Sequence, residues 1–207
     1  NRYKVSAHCS HTTKKMALLY YISTVVLFIA LCRGDTVIFP SHNNAAAENF
    51  VRTSCRFTTY PFKCVQSLVS FAPAINKSTR RMARTALSQS LIKAQSANDF
   101  LNKLATSRTL APIMKGPVAD CCQQIEMTVK KLKVSMSELA LVGLGRINRL
   151  RISNLQTWVS AALTNENTCI DGFADASLNG QVKTSIKIRL LDVVQDTSNA
   201  LALINRC

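Results

Sequence analysis

From Ser78 onward the apolar residues fall mostly at steps of three and four, the spacing that keeps side chains on one face of an α-helix. Leu87, Leu91, Ala94, Ala97, Leu101 and Leu104 form one stripe, in a segment that opens at Ser78-Thr79. Val118, Cys122, Ile125, Val129, Leu132, Met136 and Leu139 form a second, after Pro117. Ile147, Leu150, Leu155, Trp158 or Val159, and Ala162 mark a third. Val182, Ile186, Leu190, Val193, Thr197, Ala200 and Ile204 mark a fourth. No run sustains the period-two alternation of a strand, and none of the six glycines interrupts a stripe. The pattern predicts helices over 78–107, 117–142, 146–170 and 176–205. Four amphipathic helices joined by short links imply an all-α, up-down-up-down four-helix bundle.

The N-terminus reads differently. Met16 follows Lys14 and Lys15 and begins a run of sixteen residues, Ala17 to Cys32, without a charge. A basic start and a short apolar middle are the layout of a secretory signal peptide. Crossing a bilayer takes roughly 20 apolar residues, which disfavours a retained anchor. Cleavage is expected after either Ala30-x-Cys32 or Cys32-x-Gly34, and residues 1–15 are expected to be an upstream extension. The chain is therefore divided into 1–34, extension and signal, and 35–207, one folded domain.

Residues 1–34 hold five basic and no acidic residues, so 21 basic and 11 acidic residues remain after them, a net charge of +10. Export turns this charge away from nucleic acid and toward polyanionic matrix sugars or an acidic protein surface. Asn76-Lys77-Ser78 is an N-glycosylation sequon, in keeping with export.

The cysteines read as a disulfide framework. Cys55 and Cys64 enclose eight residues, and Cys121 and Cys169 fall on two successive predicted helices. No C-x-x-C pair suggests a metal site. In an antiparallel bundle the start of the second helix and the end of the third share one end, so Cys121 can meet Cys169. Cys207 ends the fourth helix, roughly 35 Å from Cys122 at 1.5 Å per residue, so those two are not expected to pair. Cys122 is expected to pack as a small buried hydrophobe, and Cys207 to be free or to pair between molecules.

Catalysis finds little support. The histidines are His8, His11 and His42, so the predicted bundle contains no imidazole base. Its carboxylates are scattered; Asp171 and Asp175 are expected near a helix start, where the helix dipole accounts for them. Gly143-Leu144-Gly145-Arg146 lacks the third glycine of a phosphate loop and follows a helix, so it reads as an interhelical turn. The chain is not expected to be an enzyme, and no cofactor or metal is expected.

Four segments carry a family resemblance. TSCRFTTYPFKC resembles the opening Cys-x-x-Thr-x-Tyr-Pro-x-x-Cys signature of the plant invertase and pectin methylesterase inhibitors. DCCQQIEMTVKKL, SAALTNENTCIDGF and TSNALALI resemble the family's later segments, in order and at the expected spacing. The resemblance implies a four-helix bundle over 78–207 preceded by a helical hairpin over 44–70, Ala45–Thr53 and Phe62–Ser70. It also implies one disulfide within the hairpin, Cys55–Cys64, and one between the second and third helices, Cys121–Cys169.

By that resemblance the chain is a secreted inhibitor of the plant apoplast and cell wall. Members similar to the esterase inhibitors lay the bundle across the enzyme's pectin cleft, whereas members similar to invertase inhibitors present a Pro-Lys-Phe motif between the second and third helices. The corresponding stretch, Gly143 to Asn154, has neither proline nor phenylalanine, which favours pectin methylesterase as the partner over invertase. Thr168 and Asp171 match family residues that touch the esterase, and Glu126 keeps an acid where the family often has one. Gln123 and Met127 stand where many members have Glu and Asp. Lys130, with Lys131, could pair with acids on a target. The implied protein is a monomer that binds no nucleic acid and, after signal cleavage, no membrane. A basic wall protein that binds acidic pectin directly is the alternative.

Overall fold

Seven α-helices account for most of the described residues, and no strand occurs among them. The structure, a computed structural model of the chain, describes residues 42–142, 148–175, 178 and 180–207. The expected signal segment and the Gly143-Leu144-Gly145-Arg146 turn lie outside the described residues.

Two helices form the hairpin, α1 (His42–Cys55) and α2 (Pro61–Leu68). A 3-10 turn (Val69–Phe71) and the single turn α3 (Ala72–Ile75) lead into the bundle helices. These are α4 (Thr79–Ala105), α5 (Pro112–Leu141), α6 (Asn148–Asp171) and α7 (Gln181–Ile204). Helix α4 packs on α5 and α7, and α6 packs on the same two, which closes a square of four. Helix α1 leans on α2 and α3, while α2 docks on α4 and α7.

Local chemistry sets the ends. Pro61 opens α2 at a position where the missing N–H has no helical partner to lose. Asn76 and Lys77 turn the chain with positive φ angles of 44° and 57°. Ser78 then caps α4, its Oγ accepting from the Arg81 N–H at 3.3 Å. The core is continuous through both parts, with Val51, Leu68, Ile75, Met82, Leu87, Ile125, Leu132, Leu155, Ile186 and Ile204 all buried.

Several expectations need correction. Helix α5 begins at Pro112, not Pro117, and runs through Gly116-Pro117. Pro117 forfeits one bond, to the Ile113 carbonyl, and continuing the helix buries Met114 one turn below Val118. Helix α7 begins at Gln181 rather than 176. Leu150, assigned to the third stripe, is 60% exposed, because five residues before Leu155 it lies about 140° round the helix, and Ile152 packs against the core instead. Asp171 is the last residue of α6 and not near a helix start, so the dipole there opposes a carboxylate. Cys122 is half-buried against the core rather than enclosed in it; the expectation for Cys207 needs no change, since it is exposed and outside both disulfides.

Side chains of α7, from the far end of the sequence, fasten the hairpin. Buried Asn199 on α7 accepts from the Tyr60 N–H at 2.9 Å and donates through Nδ2 to the Tyr60 carbonyl at 3.0 Å. The opening and closing segments of the domain thus meet in a paired amide contact. Ser67 also donates to Asp196 at 2.8 Å, and Lys63 pairs with Asp192. Asn199→Ala removes both hydrogen bonds and is expected to cost about 1–3 kcal/mol. A fall in melting temperature, with faster amide exchange confined to residues 56–68, would show this. Unchanged exchange there would count against it.

Candidate protein-binding face at the Cys121 bridge

Cys121 and Cys169 join α5 to α6 with Cα atoms 4.5 Å apart, and Cys55 and Cys64 join α1 to α2 at 5.6 Å. Both pairs are buried, so each bridge lies beneath the surface it braces. Above Cys121–Cys169 is a shallow depression of about 310 Å³ lined by Pro117, Asp120, Gln123, Gln124, Thr168 and Gly172. Gln123 and Thr168, from separate helices, therefore share one concavity. Asp120, Gln124 and Pro117 line it as well and were not among the expected contacts.

Helical spacing extends this face along α5. Gln123, Met127 and Lys130 follow at steps of four and three on the exposed side, with Glu126 beside them. Met127 is 41% exposed, a large apolar side chain left to solvent. Lys130 does not stand free: its Nζ lies 2.7 Å from Glu126 Oε1, one turn back. The hydrogen bond and charge of Lys130 hold the Glu126 carboxyl below its usual range. Because both groups are exposed, such a pair contributes little and can be exchanged for a partner's charges.

On α6, the Thr168 hydroxyl donates to the Thr164 carbonyl at 2.9 Å, which fixes its rotamer. Asp171 is exposed one turn further on, and its carboxylate forms no ion pair among the described residues. Asn76 is exposed, far from this face in the turn before α4, and its carbonyl accepts from Arg81 at 3.2 Å. Among the described residues no cluster of three His, Cys, Asp or Glu side chains forms a metal set, and no helix is long and apolar enough to cross a membrane.

A family profile described as plant invertase/pectin methylesterase inhibitor matches residues 49–203. The chain belongs to this inhibitor family. Similar members include pectinesterase inhibitor 11 of Arabidopsis thaliana, 40% identical over 90% of this chain and 92% of that protein. A 21 kDa protein of Daucus carota is 38% identical over 82% of this chain and 89% of its own length. Among solved structures, a mutant form of an Arabidopsis pectin methylesterase inhibitor superposes with a TM-score of 0.62 at 19% identity, covering 75% of this chain and 95% of that one. That likeness fixes the inhibitor fold.

Inside this inhibitor bundle is a polar cluster with no counterpart among the expected site residues. Glu166 on α6 is fully buried, and its Oε1 accepts from Thr197 Oγ1 at 2.8 Å. Thr197 Oγ1 lies 2.7 Å from Ser90 Oγ of α4, so three helices meet in one hydrogen-bonded chain. Next to it Asp196 pairs with Lys93 at 2.7 Å, and Lys93 also reaches Asp192 at 2.9 Å. Burial works against the Lys93 charge, but the two carboxylates outweigh it and hold the ammonium protonated above its usual range. A signal for Glu166 existed: the stripe Leu155, Val159, Ala162 continues at steps of four and three onto Glu166 and Cys169.

Proposed function

We propose that this chain inhibits a pectin methylesterase by seating the α5–α6 face, centred on the Cys121–Cys169 bridge, across the enzyme's pectin-binding cleft. The observation that carries the reading is near full-length similarity to proteins named pectinesterase inhibitors, at up to 40% identity. The geometry supports it. Occlusion needs no catalytic group, only a rigid surface whose contacts are set before binding, and that rigidity lowers the entropic cost of association. A buried cross-link beneath the depression supplies it. Asp171 sits where the helix dipole disfavours it and forms no ion pair among the described residues, as expected of an acid that faces a partner. In the same reading the protein is secreted to the cell wall, carries its glycan on Asn76, acts as a monomer, and has no catalytic activity of its own.

Titrating the purified, oxidised protein against a plant pectin methylesterase and a wall invertase in parallel tests the reading. Stoichiometric loss of esterase activity with invertase untouched is expected; two fully active enzymes would overturn it. Thr168→Arg combined with Asp171→Arg should raise the esterase inhibition constant by at least about tenfold, equivalent to roughly 1.4 kcal/mol, because hot spots concentrate binding energy in a few side chains. Both residues are exposed, so the melting temperature should not move. An unchanged inhibition constant would remove the α6 end from the interface.

A further inference from the structure

The bundle's two ends differ in charge, and one of them gathers cations from several helices. Arg80 on α4 reaches the last turn of α5, donating through one guanidinium nitrogen to the Ala140 carbonyl at 3.0 Å. Arg81 donates to the Ile75 and Asn76 carbonyls at 2.9 and 3.2 Å. Arg206, beyond α7, stacks on Phe57 of the hairpin turn at 4.1 Å from the ring centre. Lys77, Arg84 and Arg149 add exposed charges at the ends of α3, α4 and α6. Among the described residues, the acid on the last turn of α5 is Glu138, and Arg151 neutralises it at 3.0 Å. A shallow groove lined by Ser78, Arg80, Arg81, Arg84 and Leu139 runs across this pole. The opposite pole carries Asp120, Asp171 and Asp175 among its bases, so the excess is not spread evenly.

We infer that this basic pole is a second binding surface, distinct from the α5–α6 depression, for an extended polyuronate chain: pectin stripped of its methyl esters. Hydrolysis of a methyl ester releases methanol and leaves a carboxylate on the sugar, so an esterase converts a neutral polymer into a polyanion. Guanidinium groups match carboxylates with paired N–H donors, and here two of them are already held by backbone carbonyls, which reduces the ordering cost of each contact. Single pairs of this kind are weak, but a polymer presenting a carboxylate on successive sugars engages many at once. The inhibitor is thereby held where its enzyme has worked, while the cross-linked face at the other end of α5 stays free for the enzyme. The choice of polyuronate rests on the esterase reading above; the charge asymmetry does not.

The test compares three full-length proteins on immobilised polygalacturonate, on fully methyl-esterified pectin and on duplex DNA. These are the wild type, a pole variant (Lys77→Glu, Arg84→Glu, Arg149→Glu), and a control with the same net charge (Lys103→Glu, Lys115→Glu, Lys187→Glu). None of the six substituted side chains makes a hydrogen bond or ion pair among the described residues, and all six are exposed. The wild type should bind polygalacturonate in a salt-sensitive way and ignore the esterified polymer. The pole variant should bind at least about tenfold more weakly, with a shallower salt dependence because fewer counterions are released, while the control stays within about threefold of wild type. Equal losses in pole variant and control would mean net charge alone, and would overturn the proposal. So would absence of wild-type binding, or tighter binding to duplex DNA than to polygalacturonate. Esterase inhibition on highly esterified soluble substrate is read separately: inhibition without retention sinks only the pole, and retention without inhibition sinks only the inhibitor reading.

Discussion

Cys121→Ala combined with Cys169→Ala is expected to lower the folding free energy by about 4 kcal/mol, the loop-closure value for a sequence separation of 48. At roughly 2–4 °C per kcal/mol for a chain of this size, the melting temperature should fall by about 8–16 °C. Alanine is the suitable replacement because both cysteines are buried, and a serine hydroxyl would add an unsatisfied polar group to the comparison. Both must be replaced together: Cys169→Ala alone leaves a free Cys121 thiol beside Cys122, which invites misplaced bridges. Opening Cys55–Cys64, with a separation of only 9, should cost about 3 kcal/mol on the same reasoning. The functional consequence separates the two bridges. The α5–α6 bridge lies under the proposed contact face, so its loss should weaken inhibition even at temperatures where the protein remains folded. The hairpin bridge is remote from that face, and its loss should leave inhibition intact under the same conditions. Urea midpoints and inhibition constants measured side by side decide it. A drop below about 1 kcal/mol for the Cys121/Cys169 variant would refute the entropic account.

What could be read from the chain alone follows from which forces act locally. The four bundle helices were legible because burial selects a stripe, and the stripes on Leu87–Leu101, Ile125–Leu139 and Ile186–Ile204 do face the core. Ends were less legible. A proline usually marks a boundary, yet Pro117 sits within α5, because near a helix start it removes one hydrogen bond and the buried Met114 favours continuing. Leu150 misled for a simpler reason: its step of five to Leu155 takes it off the stripe, and Ile152, three residues before Leu155, packs against the core in its place. The contacts that depend on long separations were invisible. Nothing in TSNALALI says that Asn199 will clasp Tyr60, 139 residues earlier, and Lys130 gave no sign that it answers first to Glu126. Bundle geometry already placed Cys121 beside Cys169 and so brought the neighbouring Gln123 and Thr168 to one end; the family resemblance marked those two as contacts, but the depression between them was not legible.

Glu166 is the residue whose effect should be largest relative to its visibility in the sequence, and its signature is a pH dependence. Burial is the main reason its carboxyl is pushed up to about 8; the negative charge of nearby Asp196 adds to this, and the Thr197 hydrogen bond opposes it. Its second oxygen, Oε2, has no hydrogen-bond partner among the described residues, so none of them compensates a charge there. The folded pKa lies above the unfolded value near 4.5, so the protonated form is the one the fold favours. Below about pH 4.5 both states hold the proton and the full stability is present. As pH rises from there toward 8 the unfolded chain ionises while the fold still binds the proton, and stability is lost at about 1.4 kcal/mol per pH unit. Above 8 both states are ionised and the loss levels off. Between pH 5 and 8 the wild type should therefore lose on the order of 4 kcal/mol relative to Glu166→Gln, which imitates the protonated acid and does not titrate. The two proteins should have nearly equal stability at pH 5 and diverge as pH rises, glutamine becoming the more stable. Asp192 and Lys93 also titrate abnormally, Asp192 held below its usual range by Lys63 and Lys93 despite partial burial, but those groups are common to both proteins and cancel in the difference. Parallel stability curves across that range would show that Glu166 is already solvated or paired by water. A diverging pair would mean that an acidic wall holds the inhibitor folded and that alkalinisation loosens it from inside the bundle, independently of any charge at the enzyme contact.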